Sequence, residues 1–208
     1  MDLQDAVKGR RSIRRFKPDP VPTTDIEKMV YAASLAPSGG NFQPWHFLAV
    51  TDPDKRDEMA KIVHDEGVAL SRKMSKNPSL RYLVASLVFS KAPVVFVVLV
   101  EPFPLENDPL FSAFQKEQNI TGRHIDRYGG FVNVQSVGAA IQNLLLTAYE
   151  LGYGSCWLRI PYYAKDSLEA FLKVKPPREI LALIPVGIPD HKPTMPPRKP
   201  VQKILTYV

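Results

Sequence analysis

Residues 10–16, RRSIRRF, place four guanidinium groups and one hydroxyl within seven positions. In extended backbone alternate residues share a face, so Arg10, Ser12 and Arg14 point together while Arg11, Ile13 and Arg15 point the other way. Guanidinium forks make charge-assisted hydrogen bonds to phosphate oxygens, each contributing roughly 1.5–3 kcal/mol. That triplet suits a phosphate monoester dianion, although the same residues also read as a solvated basic turn. A second stretch, PSGGNFQP, sets Ser38, Asn41 and Gln43 around Gly39 and Gly40, whose missing side chains let a flat ligand lie against the backbone.

Other chemistries find little support. His46, His64, His124 and His191 are scattered and form no helical pair or HExxH pattern, so no metal site is expected. Cys156 is the single cysteine, which excludes a disulfide framework and a thiolate cluster; beside Trp157 in an apolar stretch it reads as a small buried hydrophobe. GYGSCW lacks the third glycine of a dinucleotide fingerprint and leaves a helix instead of opening one. No Ser/His/Asp arrangement emerges from the spacing.

The elements that must hold these residues follow from periodicity. Thr24 and Glu27 form a capping-box pattern ahead of a helix whose Ile26, Met29, Val30 and Ala33 share one face, ended by Pro37. The loop PSGGNFQP leads into a strand at His46–Thr51, then a turn and a helix from DPDKRDEMAKIV. APVVFVVLVE predicts a strand buried on both faces. Residues 101–130 form a Pro-rich, then polar and aromatic excursion, a candidate lid through Phe111, Phe114, His124 and Tyr128. Val134–Leu151 predicts a core helix, with Gly138, Ala139 and Ala140 allowing close approach of a neighbour or a second subunit. GYGSCWLRIP and EILALIPVGIP predict strands, separated by a short helix opened by Asp166 or Ser167. The proline-rich residues 190–208 predict an extended C-terminal arm.

The 208 residues therefore predict one domain, 1–208, of α+β class, an α/β sandwich with helices flanking a central mixed sheet. With 27 basic and 21 acidic side chains the net charge is +6, which fits an anionic ligand or a nucleic acid, or simply solubility. The polar N-terminus lacks the apolar core of an export signal, and the run from Ala92 to Val100 is too short to span a bilayer. A cytoplasmic protein with no membrane partner is expected.

RRSIRRF, APSGGNFQPWHF, AAIQNLLLTAYELGYGSCW and the terminal PPRKPV, in that order and separation, resemble the nitroreductase family of FMN-dependent oxidoreductases over nearly the whole chain. The resemblance implies an intertwined homodimer, with FMN at the subunit boundary and NADH or NADPH as electron donor. It assigns Arg10, Arg11, Ser12 and Arg14 to the FMN phosphate and ribityl chain, and Arg198 to the same phosphate. Pro37, Ser38, Gly39 and Asn41 match a loop that reaches the flavin from the opposite subunit. Trp157, Leu158 and Arg159 match the strand end along the isoalloxazine, with the Arg159 backbone amide near the reactive nitrogen. No side chain is implied as nucleophile, because the flavin carries the chemistry.

Family members often carry glycine after the SCW position, where this chain has LRIPYY, so Arg159 becomes a candidate pocket residue. The implied reaction is ping-pong hydride transfer to a small-molecule electron acceptor such as a nitroaromatic or quinone, with no nucleic acid partner. Its rivals are a nitroreductase-fold enzyme with a specialised reaction, such as reductive dehalogenation, and a non-catalytic basic protein binding nucleic acid or an anionic ligand.

Overall fold

A computed structural model of the chain describes residues 2–73, 87–102, 108–119 and 131–208. In chain order the elements are α1 (Leu3–Gly9), α2 (Thr23–Ser34), β1 (Trp45–Val50), α3 (Pro53–Arg72), β2 (Val94–Val100), α4 (Pro109–Glu117), α5 (Val132–Glu150), β3 (Gly154–Ser155), β4 (Leu158–Arg159), α6 (Lys165–Phe171) and β5 (Glu179–Gly187). The sheet runs β1-β2-β5-β3, with β4 also on β5. All of these ladders are antiparallel, and a parallel bridge joins Ser12 to Ser155.

β2 explains the architecture. All seven of its residues are buried, and their alternation feeds two cores. Val94, Phe96, Val98 and Val100 face Met29 and Ala33 of α2 and Ile141 and Leu144 of α5. Val95, Val97 and Leu99 face Met59 and Val63 of α3 and Leu168 of α6. The continuous apolar run thus arises in an antiparallel sheet covered on both faces, a pattern more common in parallel sheets. Each fully buried Val or Leu contributes about 1.5–3 kcal/mol of transfer free energy. In α5, Val137, Ala140, Ile141, Leu144, Leu145 and Ala148 are buried at helical spacing.

Two helix starts differ from the sequence reading. In α2 the cap is Pro22, whose carbonyl accepts from the amides of Asp25 and Ile26 at 3.0 and 3.1 Å, so the Thr24–Glu27 box does not form. α6 begins at Lys165 directly from a 3-10 turn over Tyr162–Ala164, without a side-chain cap. Ser167 instead donates to Glu66 Oε1 at 2.6 Å, tying α6 to α3. α3 obeys expectation, with Asp52 accepting from the Asp54 amide at 2.9 Å and Pro53 in the first turn.

Within the 101–130 excursion α4 is capped by Asp108, which accepts from Leu110 and Phe111. His124 and Tyr128 lie outside the described residues. Beyond Asp190 the chain has no regular structure except a 3-10 turn over Val201–Lys203.

Candidate functional site

α1 ends at Gly9, where Arg10 leaves the helix with extended backbone while its amide still donates to the Ala6 carbonyl at 3.0 Å. The following residues are held edgewise against β3: the Ile13 amide donates to the Ser155 carbonyl at 2.9 Å, and Ser12 bridges Ser155. Ile13 is buried, and a Cβ on Gly154 would stand 2.5 Å from its Cγ1, so glycine is required for that approach.

This registration fixes which side chains converge. Arg10, Ser12 and Arg14 all act on the buried Cys156: burial pushes its thiol pKa up, opposed by Arg14, a Ser12 hydrogen bond and Arg10. The three side chains thus lie near one thiol. Arg11 donates through one guanidinium nitrogen to the carbonyl of Lys8 at 2.6 Å and to that of Arg10 at 2.8 Å, closing the end of α1. Arg198 comes back from the far end of the chain. Burial, then Arg198 and Arg11, hold the Arg10 guanidinium below its ordinary pKa. Arg10, Arg14 and Arg198 form no ion pair with a carboxylate among the described residues.

Cys156 continues the edge, its amide donating to the Pro185 carbonyl at 3.2 Å. Trp157 is 44% exposed, with its ring at van der Waals distance from the position a Gly138 Cβ would take. Within the chain, the neighbour of Gly138 is Trp157. In β4, Leu158 pairs with Leu183 and Arg159 with Ala182. Arg159 is exposed, its guanidinium 5.6 Å from the centre of the Tyr162 ring. Sequence reasoning did not single out Tyr162 as a neighbour of Arg159, because that contact depends on the 3-10 turn after Pro161.

The glycine-rich loop stands apart from the arginines. Gly40 and Asn41 both adopt φ 56°, and Gln43 φ 52°, the left-handed backbone expected of this composition. Ser38 Oγ accepts from the Gln43 amide at 3.0 Å, and Gln43 Nε2 donates to Asn41 Oδ1 at 3.2 Å. Pro37, Ser38 and Gly39 line a cavity of about 400 Å³ against the N-terminal half of α5, and none of the arginines borders it. Within one chain Ser12 stands beside β3, Leu158 and Arg159 follow on β5, and Arg198 acts on Arg10, while the cavity lined by Pro37, Ser38 and Gly39 is bordered by none of these residues.

Known proteins share this fold. A BluB-like flavoprotein from Clostridium difficile superposes with a TM-score of 0.85 at 32% identity, covering 100% of this chain and 99% of that one. A protein from Archaeoglobus fulgidus with the provisional name NADH dehydrogenase/NAD(P)H nitroreductase is 30% identical over 88% of this chain and 74% of its own length. An iodotyrosine deiodinase from Thermotoga neapolitana is 27% identical over 99% of this chain and 98% of its own. No helix among the described residues is long and apolar enough to cross a membrane. The nitroreductase family model matches residues 7–188, and on that match, together with the fold just described, the chain belongs to the nitroreductase family.

Proposed function

We propose that the chain is an FMN-dependent NAD(P)H oxidoreductase that acts as a homodimer in the cytoplasm and passes electrons to a small, flat, electron-poor acceptor. One observation carries this reading: beside the Ser12–Ser155 bridge, Arg10 feels the charge of Arg198 and shares the neighbourhood of Cys156 with Arg14, and none of the three has an ion-paired carboxylate among the described residues. Of the three, Arg10 is partly buried, and a partly desolvated guanidinium beside like charges is stabilised by an anion that joins them. A phosphate ester fits the donor set, with guanidinium forks from both ends of the chain and a hydroxyl between them. The kinship with a flavoprotein at 32% identity supports a flavin as the rest of that ester.

In this reading Arg10, Arg11, Ser12 and Arg198 hold the phosphate and ribityl chain. Arg14 lies towards the ring, where its positive charge favours added electron density. The edge Trp157–Arg159 runs along the ring, and the Arg159 amide is the donor that faces its reactive nitrogen. Pro37, Ser38, Gly39 and Asn41 approach from a second copy, which accounts for their separation from the arginines within one chain. When bound, FMN supplies hydride acceptance from a nicotinamide and delivery to a second substrate. The protein's own groups bind, orient and exclude water.

The test is spectroscopic. Protein loaded with FMN should bleach in its visible flavin bands on addition of NADH or NADPH and regain them when a nitroaromatic or quinone is added. A colourless protein that takes up no FMN, yet shifts DNA with a steep salt dependence, would support the basic binder instead.

A second reading within the same fold is reductive dehalogenation. The iodotyrosine deiodinase from Thermotoga neapolitana supports it, because that likeness runs the length of both chains. Halide released from 3-iodotyrosine by the reduced, FMN-loaded protein would favour this reading over general acceptor reduction.

A further inference from the structure

Burial alternates along the edge that leads into β4. Cys156 and Ile160 are buried and Leu158 packs against the second core, which leaves Trp157 and Arg159 as the exposed members. Beyond Pro161 the 3-10 turn brings Tyr162 back, so that the Arg159 guanidinium lies over its ring, 5.6 Å from the centre. Tyr162 is 67% exposed, yet it is not loose: its ring meets that of Tyr163 edge-on at 5.4 Å, and Tyr163 packs against the second core.

Tyr162 thereby orients the guanidinium without using its donors. A guanidinium resting on an aromatic face keeps its N–H groups directed outward in its own plane, and Arg159 has no ion-paired carboxylate among the described residues. A cation held in this way loses less freedom on meeting a ligand than a solvated lysine does. Its planar fork matches the two oxygens of one carboxylate, and the exposed rings of Trp157 and Tyr162 offer stacking surface to the body that carries it.

We infer that the Arg159 side chain determines specificity for the electron acceptor, selecting flat, electron-poor aromatic rings that carry a carboxylate. The inference rests on the flavin reading above, in which the edge Trp157–Arg159 runs along the isoalloxazine; the acceptor ring then lies on the flavin and its carboxylate meets the guanidinium. The Arg159 amide and side chain have separate tasks, the first towards the flavin and the second towards the acceptor. Because the guanidinium is exposed, the discrimination is moderate and weakens as salt is raised.

Steady-state reduction of 4-nitrobenzoate and 4-nitrobenzamide by the FMN-loaded protein tests the assignment, because the two acceptors differ in charge and little in shape. Taking the ratio of their kcat/KM values within each variant cancels any change in flavin reactivity common to both. Arg159→Gln should lower the nitrobenzoate-to-nitrobenzamide ratio at least about fivefold, through KM for nitrobenzoate, and Arg159→Lys should restore only part of it. Flavin that is not retained, or that neither NADH nor NADPH bleaches, overturns the flavin reading and this inference with it. Normal bleaching with an unchanged ratio in Arg159→Gln overturns this inference alone. So does an unchanged ratio with a loss confined to NADPH, which would give the cation to the 2′-phosphate of the electron donor. Where the variants fold poorly, inhibition of nitrobenzamide reduction in the unsubstituted protein decides: benzoate should inhibit at least about fivefold more strongly than benzamide at low salt, and equal inhibition overturns the assignment.

Discussion

Ile13 and Gly154 meet with no room to spare: a methyl group on Gly154 would lie 2.5 Å from Ile13 Cγ1 and 2.8 Å from its Cβ. This contact, with the 2.9 Å hydrogen bond from the Ile13 amide to Ser155, sets the height of the whole arginine segment above β3. Gly154→Ala should displace residues 10–14, cost about 1–3 kcal/mol of stability, and weaken FMN retention at least tenfold. Denaturant midpoints and flavin content after dialysis measure the two effects. Adding Ile13→Gly to Gly154→Ala removes the Ile13 Cβ as well as its Cγ1 and restores space, so the pair should show coupling, with the double variant binding FMN better than Gly154→Ala alone. Strict additivity would mean that this contact does not position the segment.

The phosphate assignment separates Arg198 from Arg14. Arg198→Ala removes a charge-assisted bond, and about 1.5–3 kcal/mol translates into roughly ten- to hundredfold weaker FMN binding, with the lower end expected for a solvent-exposed group. Riboflavin lacks the phosphate, so its affinity should be unchanged by Arg198→Ala. Arg14→Ala should weaken both ligands if its guanidinium reaches the ring. Fluorescence quenching titrations with the two flavins give the answer, and an Arg198 variant that loses riboflavin as readily as FMN contradicts a phosphate role.

How much of this is written locally in the sequence depends on the range of the interaction. The periodicity of β2 and α5 and the left-handed turn at Gly40 and Asn41 come from near neighbours, and the structure has them where the pattern puts them. The start of α2 departs from its capping-box pattern because the helix already begins at Thr23 after Pro22, which puts Thr24 inside the first turn and not at the cap. Strand order is not legible at all, since β2 and β5 pair through a backbone ladder between segments far apart in the chain. Arg198 beside Arg10 is accessible through family resemblance alone, because periodicity carries no information about charges at opposite ends of a chain. The unpartnered nitrogen of His191 has no sequence signal, for a lone histidine among prolines reads as surface.

The separation of the Pro37–Asn41 loop from the arginine edge makes a prediction about subunits. If each site takes its arginines from one chain and its loop from another, a variant damaged in the arginines and one damaged in the loop should complement. Arg14→Ala/Arg198→Ala protein mixed with Gly39→Val protein, then unfolded and refolded together, should recover about one quarter of the flavin occupancy of the unsubstituted dimer, from random pairing of chains. Gly39→Val is chosen because even a Cβ there would stand 2.7 Å from Val132 Cγ1, pushing the loop off α5. Occupancy no higher than that of the separate variants argues for a site built within one chain.

Tyr153 and Asp25 join the end of α5 to the first turn of α2 through a 2.8 Å hydrogen bond, which makes the junction of these helices pH-dependent at both ends of the scale. The Lys28 ammonium, bonded to the other carboxylate oxygen, and then the Tyr153 hydroxyl hold Asp25 below its ordinary pKa. A lowered carboxylate pKa contributes stability that is present above the unfolded value of about 3.9 and is lost as pH falls through the folded value. Burial, and then Asp25, raise the Tyr153 pKa. That contribution is present below the unfolded value of about 10 and is lost as pH rises through the folded one. Tyr153→Phe removes the hydroxyl's share of both, so its thermal midpoint should lie below that of the unsubstituted protein near neutrality. The gap should narrow in acid, where Asp25 is protonated, and again in alkali, where the Tyr153 hydroxyl ionises. A gap of constant size across that range would assign the loss to altered packing and remove the hydrogen bond from the account.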